Sequence, residues 1–328
     1  MSDCTFLIGN GINRAVCNES FKLEKGMEKA WGKVTDDDLR TIIHDTLENE
    51  IPPKTEEQLE EIQAQIFTII SIQKDLESLH KTIQKKLELP IEKFKKNYFS
   101  YLFDMASYFY NLSFSSELKK EKFQKFSTKF SEFIKNHNHA HVATLNYDCM
   151  LYGEFLDNDI LRDDYNQTYL VDGFWKNGFQ EEHLELKYGH NFGWYLHLHG
   201  SPLYYTDGNI IKKSQRNDEL KDNIEKRNHI ILCSPKQKPE LIKHSYLLRE
   251  YFTFFKRAIQ QSEHIIIIGY GGKDEHINKV IKEYANPQTN ITIVERTQGE
   301  SDEYWKNIFP KSQIERHASI LDFDFKDF

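Results

Sequence analysis

Five short stretches carry residue types that could do chemistry. Gly9-Asn10-Gly11-Ile12-Asn13 and Gly269-Tyr270-Gly271-Gly272-Lys273-Asp274 are glycine turns. Such turns can present backbone N–H groups to a pyrophosphate, and a helix beginning just after one adds its positive end. Asn146-Tyr147-Asp148 joins a carboxamide to a carboxylate at the end of an apolar run. His199-Gly200-Ser201 sets an imidazole, whose ordinary pKa of ~6.5 suits proton transfer near neutrality, before a glycine that lets the backbone turn. Glu295 could accept hydrogen bonds from adenosine ribose hydroxyls, as the acidic residue of dinucleotide-binding folds does.

Each stretch also has a plainer reading. Position 14 is Arg14 rather than glycine, so the dehydrogenase fingerprint G-x-G-x-x-G is incomplete, and Gly9-Asn10-Gly11 alone is equally a tight turn. Asn146 to Asp148 reads as an Asx-type turn ending a strand, and Glu295 as a solvated loop carboxylate. His197 and His199 lie two apart and on a strand would share a face, but no third ligand stands nearby, so no metal site is expected.

The elements that would position these residues are legible in the apolar pattern. Buried strands are expected at Cys4 to Ile8, His139 to Asn146, Trp194 to His199, Ile230 to Cys233, His264 to Ile268 and Ile291 to Val294. The run Ile265-Ile266-Ile267-Ile268 has the continuous apolar character of a central parallel strand. Helices are expected from Leu241 to Ile259 and from Glu275 to Tyr284. Alternation of strand and helix implies a parallel crossover sheet with ligands beyond the carboxyl ends of its strands. If the sheet is parallel, the candidate stretches share one edge. Tyr147 to Gly193 reads as an irregular lid over that edge.

Residues 35–137 have a different period. Thr35-Asp36-Asp37-Asp38 has N-cap chemistry, and Leu39, Ile42, Ile43 and Leu47 follow at helical spacing up to Pro52-Pro53. A long amphipathic helix is expected from Glu56 to Leu87, broken at Pro90. The period resumes through Phe94, Tyr98, Tyr101, Leu102 and Met105, and a further helix carries Phe123, Phe126, Phe130, Phe133 and Ile134. The expected organisation is therefore an α/β, Rossmann-like parallel sheet with helices on both faces, formed by 1–34 and 138–328, with 35–137 as a helical insertion. Its apolar stripes must be covered, either within the chain or by a homo-oligomer or partner docked there.

Composition narrows the class. The 328 residues carry 43 Lys+Arg against 51 Asp+Glu, a net charge of −8, which argues against nucleic-acid binding by bulk charge. A hydrophobic content of 39% with 13% aromatics belongs to a folded globular chain. No stretch reaches the ~18 apolar residues of a membrane span and the opening has no basic leader, so a cytoplasmic location is expected. Cys4, Cys17, Cys149 and Cys233 form no C-x-x-C pair, which leaves neither a zinc ribbon nor a disulfide framework to be drawn.

Taken together and in order, Gly9-Asn10-Gly11-Ile12-Asn13, Thr144-Leu145-Asn146-Tyr147-Asp148, Leu198-His199-Gly200-Ser201, Gly269 to Asp274 and Ile293-Val294-Glu295 resemble the motifs of the sirtuin superfamily across residues 5–295. The resemblance implies an NAD-binding core whose first glycine turn cradles the dinucleotide. It implies that Asn146 and Asp148 stand beside the nicotinamide ribose, that His199 is the catalytic histidine, and that Gly269, Gly271 and Glu295 hold the adenosine half. Ile12, Asn13, Gly200, Tyr270 and Asp274 fall within the same matched motifs and are carried as cofactor-binding residues.

Deacylating sirtuins have a zinc module with two C-x-x-C pairs, which is missing here. The chain looks more like the sirtuin-like domains of bacterial anti-phage systems, which hydrolyse NAD alone or beside a HerA-type ATPase, a short Argonaute or a TIR-domain protein. The expected activity is cleavage of NAD, as substrate, to nicotinamide and ADP-ribose. A non-catalytic NAD or ADP-ribose sensor that regulates a partner is the alternative, with protein deacylation or ADP-ribosylation behind it.

Overall fold

The apolar runs become the middle of one sheet. The computed structural model describes residues 3–48, 51–55, 57–62, 64, 68, 81–118, 120–137, 139–161, 168–185, 192–216, 218, 220, 226–227, 229–231, 242 and 245–326. Its strands are β1 (Cys4–Ile8), β2 (Ala140–Thr144), β3 (Leu170–Val171), β4 (Phe174–Trp175), β5 (Gly178–Phe179), β6 (Gly193–His197), β7 (Tyr204–Asp207), β8 (Ile210–Lys213), β9 (His264–Ile268), β10 (Asn290–Arg296) and β11 (Gln313–His317). Seven of them form a parallel sheet in the order β11-β10-β9-β1-β2-β6-β3, and β4-β5 and β7-β8 are small antiparallel ribbons. The Rossmann-like α/β expectation holds.

Helices among the described residues include α1 (Gly11–Val16), α2 (Leu23–Trp31), α3 (Asp37–Thr46), α4 (Lys81–Leu112), α5 (Glu121–Asn136), α6 (Met150–Asp157), α7 (Tyr246–Gln261), α8 (Glu275–Tyr284) and α9 (Asp302–Ile308). They cover both faces of the sheet. From β1, Phe6 packs on Phe130 and Phe133 of α5, at 4.6 and 5.4 Å between ring centroids, while the adjacent Thr5 hydroxyl bonds Ser262 at the end of α7, 2.7 Å away. Trp194 and Tyr195 of β6 repeat the alternation, toward Phe254 of α7 and Phe155 of α6. All five residues in each of β1, β2 and β6 are buried, so none of these strands presents a face to solvent.

Register brings the strand ends level. Ile8 stands abreast of Thr144 on one side and Ile268 on the other, Thr144 abreast of His197, and Ile268 abreast of Val294. The loops that follow therefore leave the sheet side by side.

Several expectations are corrected. Pro90 does not break a helix: α4 runs through it. A proline inside a helix costs about 3 kcal/mol, whereas each large side chain fully buried returns roughly 1.5–3 kcal/mol, and Phe94, Tyr98, Tyr101, Leu102 and Met105 beyond Pro90 are all buried. That stripe is covered within the chain. Most of the expected 56–87 helix, from 63 to 80, lies outside the described residues apart from 64 and 68. The last helix of the 35–137 segment, α5, packs directly on β1.

Ile230 makes a single antiparallel bridge with Gly200 instead of a sheet strand, and Leu232 and Cys233 lie outside the described residues. Helix α7 starts at Tyr246 because Ser245, in extended conformation, caps it by accepting from the Leu248 N–H. Strand β10 runs on through Glu295 to Arg296, since the unforeseen β11 pairs with its end. The stretch expected as a lid contains α6, β3 and the β4-β5 ribbon. Among the described residues no helix is long and apolar enough to cross a membrane.

Candidate functional site

Strand order reverses between β1 and β9, so the loops after these two strands flank the switch point of the sheet, where open α/β sheets bind ligands. A cleft of about 630 Å³ opens there, within the ~300–1,000 Å³ typical of ligand sites. Of the residues singled out from the sequence, Gly9, Asn10, Gly11, Asn146, His199, Gly269, Tyr270, Gly271, Asp274 and Glu295 line it. Ile12, Asn13, Asp148 and Gly200 are not among the lining residues. The cleft brings together stretches from β1, β2, β6, β9 and β10, whose register already aligns them.

The two glycine turns pack on each other. The Gly9 and Gly11 N–H groups donate to the Ile268 and Gly269 carbonyls at 2.9 and 2.7 Å. A Cβ on Gly9 would lie 2.5 Å from the Gly269 oxygen, and Gly269 itself has φ +66° with its Cβ position 2.7 Å from the Ile12 nitrogen. These glycines serve backbone-to-backbone approach, so the N–H groups of Gly9 and Gly11 are not a ready cradle for phosphate. Gly271 differs: nothing lies within 4 Å of where its Cβ would be. Tyr270 is tied into its own loop, its hydroxyl donating to Asn278 Oδ1 and accepting from the Asp274 N–H, both at 3.0 Å.

The far wall is built differently. Asn146 is buried, with Nδ2 donating to the Gly9 carbonyl at 3.2 Å, while its buried Oδ1 has no hydrogen-bond partner among the described residues. Buried acceptors are nearly always satisfied, which makes this oxygen a candidate acceptor for a ligand donor. His199 is buried, stacks against Tyr147 at 6.4 Å, and brings its Nε2 to 3.4 Å from Nε2 of His276. Gly200, at φ +80°, lets the chain turn beneath it where a Cβ would strike the His229 carbonyl at 1.7 Å.

Asp148 works from behind. Its Oδ1 accepts from the Met150 N–H at 2.9 Å, at the start of α6, and its Oδ2 accepts from Asn13 Nδ2. Burial pushes its pKa up to about 6, against the lowering effect of those bonds. Its contacts hold α1 and the start of α6 together, with none to Asn146 among its hydrogen bonds.

Glu295 lines the cleft, but its carboxylate accepts from the Arg296 N–H (2.7 Å), Trp305 Nε1–H (3.1 Å) and the Glu300 N–H (3.3 Å). His197 parts from His199, bonding the Tyr204 hydroxyl at 2.6 Å inside the core, where burial lowers its pKa to about 3.

Sequence reasoning missed His276, which α8 projects onto His199, and the cations Arg14, Lys273 and Arg296 on the cleft rim. The Arg14 that spoils the fingerprint thus puts positive charge where the motif would have had glycine. For His276 a signal existed: it lies two residues after Asp274, on the first turn of a helix that was itself legible.

Fold and cleft define a parallel α/β protein with a ligand-sized site at its switch point. No protein-family model matches the chain, and no curated protein matches it.

Proposed function

We propose that the chain is an NAD glycohydrolase, cleaving the bond between nicotinamide and ribose C1′ to give nicotinamide and ADP-ribose. The observation that carries the reading is the convergence of the unsatisfied Asn146 Oδ1 and the His199 imidazole on one cleft at the switch point. Arg14, Lys273 and Arg296 on the rim offer partners for a pyrophosphate. The open space at Gly271 leaves room for a ligand to pass close to the backbone.

In this reading Asn146 Oδ1 accepts from a ribose hydroxyl or from the attacking water. As the C1′–N bond breaks, its electron pair leaves with nicotinamide and charge spreads onto the ribose in an oxocarbenium-like state. Water oxygen bonds C1′, and its proton passes to His199. Asp148 holds Asn13 and the first turn of α6 in place. Following the resemblance to anti-phage sirtuin-like domains, the setting proposed is depletion of NAD in an infected bacterial cell, by this chain alone or with a partner protein.

Incubating purified protein with NAD and measuring free nicotinamide tests this. His199→Ala should lower the rate by about 10²–10⁴, the usual contribution of general base catalysis, with NAD affinity retained. A variant that turns over at the parent rate overturns the role of His199. Binding without release overturns hydrolysis and leaves a dinucleotide-binding regulator.

A further inference from the structure

His199, Asp274 and His276 each offer one ligand atom, and these atoms all lie within 4.8 Å of one another. The two imidazole Nε2 atoms are 3.4 Å apart. A tetrahedral zinc ion with metal–nitrogen bonds of ~2.0–2.1 Å spaces neighbouring nitrogens by about 3.3–3.4 Å, so the two histidines already stand at a zinc-ligand separation. Asp274 stands at the N-cap of α8 and lines the same cleft as His199. Two ligands ride on one rigid element, the start of α8, and the third on the turn after β6.

We propose that His199, Asp274 and His276 form a binding site for a divalent transition metal of the zinc type, with its fourth position open to the cleft. Two imidazoles and one carboxylate are a donor set that zinc takes in sites of this kind. The consequence for chemistry is inhibitory. A metal on Nε2 of His199 occupies the lone pair that would otherwise take a proton, so the ion and the base function exclude each other. This second half rests on the glycohydrolase reading; the binding half does not.

The experiment uses the full-length, tag-free chain, stripped with EDTA and dialysed, titrated calorimetrically with ZnCl2 and followed in parallel with Co²⁺ by visible absorption. The expected result is one saturable equivalent, weakened at least about tenfold in His276→Gln and in Asp274→Asn, each checked for native melting. Absence of saturable binding, or equal affinity in parent and both folded variants, overturns the site. Nicotinamide release is then measured across the same titration: it should fall in proportion to zinc occupancy and return with EDTA. Zinc that saturates the site and leaves turnover unchanged overturns the inhibitory half alone. The calorimetric arm needs no NAD, so failure of the site and failure of the glycohydrolase reading are told apart.

Discussion

The two walls of the cleft use polar groups in opposite ways. On the β1–β9 side, the glycine turns satisfy each other: Gly9 and Gly11 donate across to β9 and its loop, and the Tyr270 hydroxyl closes its own turn. On the β2–β6 side, the buried Asn146 Oδ1 has no partner among the described residues, and His199 reaches across to His276 of α8, 3.4 Å away. One wall is built to hold the sheet's edge together. The other retains unmet hydrogen-bonding capacity beside an imidazole pair, as a site poised for a ligand does. A glycine-rich motif at a strand end therefore reports close packing first, and ligand contact only where, as at Gly271, the absent Cβ faces open space.

Substitutions separate the walls. Asn146→Ala should reduce nicotinamide release by about 10²–10³, the range seen when one polar group is removed from a preorganised site, while the lost bond to Gly9 costs stability only about 1 kcal/mol. Parallel turnover and melting measurements check this, and a large stability loss with intact turnover would invert the assignment. Gly269→Ala should act the other way, destabilising by about 2–4 kcal/mol, because its positive φ and the 2.7 Å approach to the Ile12 nitrogen leave a methyl no room. A melting temperature equal to that of the parent would contradict the packing role.

Asp148 gives a pH-dependent form of the same comparison. With its folded pKa raised to about 6, the folded state holds the proton more tightly than the unfolded state. The associated stability is fully present below about pH 4 and is lost as pH rises through 6, by roughly 3 kcal/mol. Burial lowers the pKa values of His141 and His197 to about 3, and these groups slope the opposite way, gaining stability as pH rises toward 6.5. Asp148→Asn isolates the carboxylate: denaturant unfolding should show the variant gaining on the parent between pH 4 and 7. A constant difference would mean the carboxyl titrates normally.

The smallest effect is expected at Gly271→Ala, with stability within about 0.5 kcal/mol of the parent. Any loss there should be of NAD affinity, measurable by titration. Unaltered affinity would show that ligand does not approach this backbone.

The strands were legible because parallel sheets bury both faces, which leaves runs such as Ile265-Ile266-Ile267-Ile268 no polar position. Convergence of Asn146 and His199 followed from strand direction and needed no side-chain detail. What stayed hidden depends on contacts across long sequence separations. His276 meets a residue 77 positions away. Phe325, close to the C-terminus, stacks on Phe130 at 4.7 Å, and no local periodicity announces that. Gly9 and Gly269 looked like ligand turns because glycine is also what two backbones need when they touch. Pro90 misled because a local penalty was weighed without the packing that offsets it.

The most direct test of the whole account is a crystal structure of His199→Ala grown with NAD. The account predicts dinucleotide in the cleft at the β1–β9 switch point, its nicotinamide ribose against Asn146 and its C1′ within about 3–4 Å of the water that would attack it. NAD bound elsewhere, or with its nicotinamide end away from Asn146 and the position of the missing imidazole, would contradict it.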